Sequence, residues 1–463
     1  MKKIGVISIL FAVIIFAGAG CKGPRSSYKV KLDVWGTFDN TNVYSDSFAS
    51  YKNINKNIEP IVYHKNTLES YKEDLLGALA AGNGPDIFMI HNSWIPDFQD
   101  KIVPAPEYMM TEQEFREVFV DVVADDFVID GQIYGVPLSV DSLALYYNKD
   151  IFNAAGLTRP PKTWEEFNNA VKVLTKVDEF GNFEQSGAAI GTAFNVNRSA
   201  DILTAMMLQE GAEMSDKTTK RIMFGELVGS GAYIPSEKAL KRYTDFASAA
   251  TPVYTWNKKQ NYSIDGFFQG DVAMMINYSW HYDTIMAKNA KLNFAVADLP
   301  QVSFDSIGNQ ANFANYWSFV VAKNKQPTQS MEEGAVQITD EMRVHEAWQF
   351  LRALSFPVTN GITLQNAVTG ESLTYNAEFD LTERYLEKTG KPAARRDLIE
   401  KQKTDVRLGT FAKGNLIARS WWRNNAIAVD AIFADMIDSV NTGRSSVHDA
   451  IKLGVKRSGQ WMK

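Results

Sequence analysis

Apolar and polar residues alternate along Lys29–Trp35. Val30, Leu32 and Val34 fall on one side, Lys29, Lys31 and Asp33 on the other. A two-residue period predicts a strand with one buried face. Ile58 to His64 is a second strand candidate, and between the two Tyr44, Phe48 and Tyr51 recur at helical spacing. Thr67 stands where it can cap a further helix, whose apolar stripe is Leu68, Tyr71, Leu75 and Leu79 and which Gly82 ends. After the Gly84-Pro85 turn, Asp86 to Ile90 is almost wholly apolar, as expected of a strand covered on both faces. Strand, helix, strand, helix, strand predicts an open parallel sheet flanked by helices. Such sheets take ligands at the carboxyl ends of their strands. The first of these strands runs into Trp35-Gly36-Thr37-Phe38-Asp39-Asn40 and the third into His91-Asn92-Ser93-Trp94. Each loop sets an aromatic ring beside small polar groups.

Further on, Asp130-Gly131 is a turn and Ile133 to Tyr147 reads as extended. Thr163 and Glu166 form a capping box that opens a helix to about Lys176. Asp178 to Gly187 reads as a hairpin, and its acids lack the spacing of a calcium loop. Val272 to Ile276 is an apolar strand that ends in Asn277-Tyr278-Ser279-Trp280. Phe319 to Ala322 is a short strand after Asn315-Tyr316-Trp317. The C-terminal part reads as helices, with Gly443 at a turn and Ser446 as a cap.

The N-terminus has a different pattern. Lys2 and Lys3 precede an apolar run from Ile4 to Phe16, then the small residues Ala17 to Gly20. That is the layout of a secretory signal over 1–20, and the run is short for a membrane-spanning helix. Cys21 follows and is the only cysteine, so no disulfide forms within the chain. A cysteine directly after small residues resembles a bacterial lipobox, with Gly18 where a leucine is usual. The resemblance implies cleavage before Cys21, lipid on its sulfur, and a short tether over 21–27. The chain is then anchored to a membrane rather than spanning it.

Length divides the rest. A chain of 463 residues is too long for one hydrophobic core and suits two lobes. The apolar share of 45% and charged share of 22% are those of a folded globular protein. The net charge of -6, with no basic stripe, excludes nucleic acid as a partner. Catalytic signatures are absent. The five histidines are scattered, and there is no H-E-x-x-H pair, phosphate-binding glycine loop or G-x-S-x-G elbow. The residues therefore suggest a binder without cofactor or metal rather than an enzyme.

Five segments, in order, resemble one family: Ala78–Asp86 (Ala-Leu-Ala-Ala-Gly-Asn-Gly-Pro-Asp), Ile133–Pro137 followed by Tyr146–Asp150, Pro161–Phe167, Phe268–Trp280, and Asn441–Ala450. The chain is similar to the extracellular solute-binding proteins of ABC importers, in the maltose-binding-like family 1 group. The resemblance implies an α/β, two-lobed periplasmic-binding-protein fold of type II. Each lobe would be a central sheet flanked by helices, with the ligand cleft at the hinge. Carried over, one lobe takes 28–140 with 318–370 and the other 142–316 with 371–463, and the chain crosses near Ser139–Ser142 and Asn315–Ser318. It also implies a monomer that hands a sugar to a membrane permease powered by a separate ATPase. A polyol, glycosyl phosphate or peptide remains an alternative ligand, and a surface adhesin or scaffold an alternative role.

Sugars present apolar C–H faces and many hydroxyls, so their sites combine aromatic rings with planar polar groups. By position and resemblance, the ligand-binding candidates are Asp39 in the first strand-end loop and Asn92 and Trp94 in the second. Asp141 at the first crossing is another, as are Asn195 and Arg198 in a polar loop, Asn277 and Trp280 after the later strand, and Trp421 and Trp422 on the closing lobe. Asn197 shares the polar loop. Tyr316 and Trp317 replace the family's usual pair of glycines and are expected to narrow the cleft.

Overall fold

The computed structural model describes residues 28–229, 233–303, 310–323, 325, 337–359, 361–376 and 380–462. The signal segment 1–20, Cys21 and the tether lie outside the described residues. Among the described residues no helix is long and apolar enough to cross a membrane.

The alternating and apolar runs near the N-terminus form β1 (Val30–Gly36), α1 (Thr41–Ile54), β2 (Ile58–Lys65), α2 (Leu68–Ala80) and β3 (Ile87–His91). β1 lies between β2 and β3, parallel to both. The strand Trp317–Ala322 then adds antiparallel to β3, with Trp317 opposite His91. The short strands Ile102–Val103 and Val136–Pro137 pair with it in turn. A polar anchor explains one of the motifs and a close approach another. Asp86 accepts from the backbone N–H of Asp33 at 2.7 Å and pairs with Lys325 at 3.0 Å, so the acid after Gly-Pro ties β3 to β1. Gly135 is required by contact, since a Cβ there would stand 2.5 Å from a ring carbon of Phe127.

Two hydrophobic cores form. The first draws on residues between Tyr28 and Val140 and between Ala314 and Ile399, with Ala412 and Ala418. The second draws on Leu143 to Phe313, Phe411, and Trp421 to Ile451. The division expected near 370 is displaced. The helices Leu381–Thr389 and Arg396–Gln402 pack in the first core, where Tyr385 stacks on Tyr44 with ring centres 5.6 Å apart. The handover falls beyond Gln402, because Leu381, Tyr385, Leu386, Leu398 and Ile399 bury against the first sheet's helices.

In the second lobe Ala144–Asn148 is the central strand between Met274–Asn277 and Phe294–Asp298, antiparallel to both. Thr163 caps the helix Trp164–Leu174 by accepting from Glu166 N–H at 3.1 Å, while Glu166 reaches back to Lys162 N–H at 2.7 Å. The helix stops two residues before Lys176, which begins the hairpin of Lys176–Val177 with Phe183–Gln185. Asp178 closes its turn by accepting from the N–H groups of Phe180 and Asn182. Ser446 caps Val447–Gly459, whereas Thr67 precedes α2 without a side-chain cap bond. The stretch 133–147 is broken into short strands rather than one.

The chain passes between the cores three times, and the passages meet in a small sheet. Asn312–Asn315 lies between Asp141–Ser142, antiparallel, and Ala418–Arg419, parallel. Three adjacent, hydrogen-bonded connections form a hinge that can bend while its strands stay paired.

Candidate ligand-binding cleft

Beside this small sheet, on the boundary between the two cores, lies a cavity of about 120 Å³. The first lobe supplies His91, Asn92, Ser93 and Trp94, the loop at the carboxyl end of β3. That is the position where an open sheet presents its ligand loops. The crossing strand supplies Phe313, Ala314 and Asn315. The second lobe supplies Arg198 and Asp201 at the start of the helix Ser199–Gln209, and Arg423, Ile427 and Asp430 around the start of the helix Ala426–Asn441. A hollow of about 160 Å³ between α1 and the hairpin Ile362–Gln365/Ser372–Tyr375 is larger, but it belongs to one lobe and is lined by no charged side chain. The interlobe cavity is therefore the candidate site.

An aromatic wall flanks it. Trp94 meets Trp317 edge-on with ring centres 5.0 Å apart, and Trp317 meets Phe38 at 5.2 Å and His91 at 5.6 Å. Across the cavity, Trp280 stacks on Tyr278 at 4.7 Å and 18°, and the Arg198 guanidinium lies 5.4 Å from the Trp280 ring. Trp280 keeps 39% of its surface exposed, which is apolar area open to a partner.

The polar groups are unevenly satisfied. Asn92 donates to Asp126 at 3.1 Å, but its side-chain oxygen is buried without a partner. Asp201 accepts from the Tyr278 hydroxyl at 2.9 Å. Arg423 is 4% exposed and only loosely held. One terminal nitrogen is 3.6 Å from Asp430 and the other 3.4 Å from the Trp421 carbonyl, while its Nε is buried with no acceptor. Burial pushes the Asp201 carboxyl upward, with Arg198 and Tyr278 opposing. Burial also lifts Asp430 to about 6 against the pull of Arg423. Its side chain remains 47% open to solvent, so the lift is moderated. His91 is held down to about 3 by burial, against its bond to Asn315 and with the repulsion of Arg423 and Arg198. It is neutral in the fold, with Nε2 3.2 Å from the Asn315 amide oxygen and Nδ1 2.7 Å from Ser93 Oγ.

Of the residues singled out in the sequence, the cavity brings together Asn92, Trp94 and Arg198, with Trp317 and Trp280 beside it. The others lie outside its lining. Asp39 is spent inside the first lobe, accepting from Tyr44, Tyr385 and Lys391. Asp141 sits on the hinge sheet and accepts from the backbone and hydroxyl of Ser279 at 3.0 and 2.5 Å. Burial raises its carboxyl to about 7 despite these donors. Asn195 holds the carbonyls of Asn257 and Gln260, and the fully buried Asn277 holds Asn197. Tyr316 does not narrow the cleft. It is buried in the first core, with its hydroxyl on Asp126 at 2.6 Å. Trp421 fills the second core against Phe433, whereas Trp422 turns the other way, against the first core, with Lys217 over its ring.

Sequence reasoning missed His91, Asp201, Asn315, Arg423 and Asp430. Each arginine lies just before a helix whose first turns carry the acid: Arg198 precedes Ser199–Gln209, which holds Asp201, and Arg423 lies in the loop before Ala426–Asn441, which holds Asp430.

Two lobes, a three-strand hinge and a cleft lined from both sides define a ligand-binding protein of the type II periplasmic class. The chain belongs to the bacterial extracellular solute-binding protein family, whose model matches residues 48–334. Membership makes it an exported protein. It is 26% identical over 249 residues to a Brucella abortus protein described as a binding protein, covering 54% of this chain and 57% of that one. It is 22% identical over 279 residues to the maltotriose-binding protein of Pyrococcus abyssi, covering 59% and 54%. The chain thus spans little more than half the length of these relatives. The cyclic alpha-maltosyl-1,6-maltose binding protein of Arthrobacter globiformis has a TM-score of 0.69 at 18% identity, over 93% of this chain and 98% of that chain. The sugar-binding protein MalE of Xanthomonas citri also gives 0.69, at 19% identity and over 93% and 96%.

Proposed function

We propose that the chain is the solute-capturing component of an ABC importer. It takes up a carbohydrate between its lobes and delivers it to a membrane permease, without changing it chemically. The observation that carries this is the interlobe cavity beside the hinge, lined by Trp94 and by planar polar groups from both lobes, with Trp317 in contact with Trp94 and Trp280 in contact with Arg198. The ring faces suit the C–H faces of a sugar, and the amide, carboxylate and guanidinium groups suit its hydroxyls. The oligosaccharides named for the Pyrococcus relative, and for the arabinooligosaccharide- and maltodextrin-binding relatives of Bacillus subtilis, support the same ligand class.

Open and closed forms exchange, and a ligand that touches both lobes only when they are shut shifts the population toward closure. Contacts from the second lobe and the third connection mark where the closed form is held. Lys217 reaches the Asp125 carbonyl, Ser420 reaches Asp126, and Asn424 reaches Asp97 at 3.2 Å. Cys21 carries the lipid that keeps the protein at the membrane face, and replacing it with serine releases the protein into the medium.

A thermal-shift screen over mono- and oligosaccharides, polyols and peptides tests the reading. A ligand at a hundred times its Kd adds about 2.7 kcal/mol of stability. A carbohydrate is expected to raise Tm and, by small-angle scattering, to reduce the radius of gyration. Stabilisation by peptides alone would redirect the ligand class. No carbohydrate shift, with an unchanged radius, refutes capture by closure and favours a surface scaffold.

A further inference from the structure

The cavity holds two arginines whose guanidinium groups leave most of their hydrogen-bonding capacity unused. We infer that the captured sugar is acidic, and that Arg423 and Arg198 together take its anionic group. This deepens the carbohydrate reading above and rests on it.

The argument starts from Arg423. Its guanidinium is almost wholly buried, yet two of its nitrogens reach only long contacts and Nε reaches none. A buried cation in that state is costly, and the cost is recovered when an anion arrives. Arg198 is the second cation. Its guanidinium contacts are with the rings of Tyr278 and Trp280, at 5.8 and 5.4 Å, and its side chain makes no hydrogen bond or ion pair among the described residues. Its φ of 62° is left-handed, so the backbone holds an unfavoured conformation to set this side chain at the cavity.

The surroundings add to the positive field. Arg198 is the residue that opens one helix, and Ala426 and Ile427 form the first turn of another. Both helices thus begin at the cavity wall with their positive ends toward it. The two acids present offset this only in part. Asp201 is engaged by the Tyr278 hydroxyl, and Asp430 reaches Arg423 only at 3.6 Å with its side chain half open to solvent. The orphaned oxygen of Asn92 then supplies an acceptor for a neighbouring hydroxyl, so the site suits a sugar that carries an acid rather than a bare anion.

Two sources share this chemistry, a uronate carboxylate and a sugar phosphate. The test is titration calorimetry on the full chain in detergent, with matched pairs: galacturonate against galactose, glucuronate against glucose, and glucose 6-phosphate against glucose. The acidic member of at least one pair is expected to bind about tenfold tighter or more than its parent, as a charge-assisted contact supplies. Which pair responds identifies the source. Arg198→Gln, at an exposed position, and Arg423→Gln should each reduce that preference to about twofold, and Arg423→Lys should keep part of it. Thermal unfolding without ligand checks that each variant folds. Neutral parents bound as tightly as the acids would overturn this inference and leave the carbohydrate reading standing, as would an acid preference that survives Arg198→Gln in a folded protein. No binding of any sugar, acidic or neutral, would overturn both.

Discussion

Replacing Asp126 with alanine should destabilise the hinge side of the first lobe by about 3–4 kcal/mol. Asp126 is buried and accepts from three groups that belong to different parts of the chain. These are Asn92 in the loop after β3, Tyr316 at the second crossing, and Ser420 at the third. A hydrogen bond to a charged group contributes about 1.5 kcal/mol at the low end, so three give about 4.5. Relief of the buried charge returns part of this, since burial already raises the Asp126 carboxyl. Asp126→Asn keeps one acceptor and should lose about half as much. Tyr316→Phe alone should cost about 1 kcal/mol, because the hydroxyl also faces the Val122 carbonyl at 3.3 Å. Urea unfolding, followed by tryptophan fluorescence and circular dichroism, measures each loss. Coincidence of the two probes establishes whether the lobes unfold together. In a double-mutant cycle, Asp126 and Tyr316 should couple by about 1 kcal/mol. An Asp126→Ala loss below about 1 kcal/mol, or no coupling, would mean that the three segments are held by packing alone.

Trp280→Ala should weaken carbohydrate affinity by about tenfold or more while changing stability by less than about 1 kcal/mol, because the ring is partly exposed and its ring and cation contacts are with Tyr278, His281 and Arg198; unchanged affinity by calorimetry would remove it from the site. His91 is neutral in the fold, with its imidazole held to about 3, so wild-type stability from this residue is lost as pH falls below the ordinary histidine range near 6.5. His91→Asn should therefore cost less at pH 5 than at pH 7.5, by about 1–2 kcal/mol, and an equal loss at both pH values would contradict the buried neutral ring. Asp141 has the opposite sign. Its carboxyl is raised to about 7, so its burial costs stability as pH rises from about 4 to 7. Ser279→Ala removes a donor to the ionised form, and the urea midpoint should fall more at pH 8 than at pH 5; equal falls would show that the carboxylate is not what Ser279 holds.

The parallel half of the first sheet was legible because its cues are local. Period-two alternation, a helical stripe and an apolar run each specify their own element, and β1 to β3 follow from them. The strand-end loop after β3 was legible for the same reason, since its place at a carboxyl edge depends only on topology. What the local patterns did not carry was which way most of the polar side chains turn: Asn92 and Arg198 line the cavity, whereas Asp39, Asp141, Asn195 and Asn277 do not. Asp39 and Asn92 end neighbouring strands and look equivalent in sequence. Asp39 is claimed by Tyr385 and Lys391, more than 340 residues later, and no local pattern announces that.

The misplaced lobe boundary and the missed arginine have one cause. The segment after residue 370 returns to the first core through two helices before it crosses for the third time, and that detour is set by packing of Tyr385 and Leu386 on α1 rather than by any break in composition. Once the third crossing is placed at 418–425, the loop between Ala418–Arg419 and the helix Ala426–Asn441 must run along the cleft. In that loop Trp421 turns into the second core and Trp422 toward the first, so the chain between the two cores is pinned on both sides. Arg423, next in line, lies against the Trp421 and Phe313 rings at 4.7 and 5.8 Å, reaches Asp430 only at 3.6 Å, and has no acceptor at Nε. A buried guanidinium held in place by rings, with its hydrogen-bonding capacity only partly used, suits an anion-selective site, because the ligand need not supply the ordering energy when it binds.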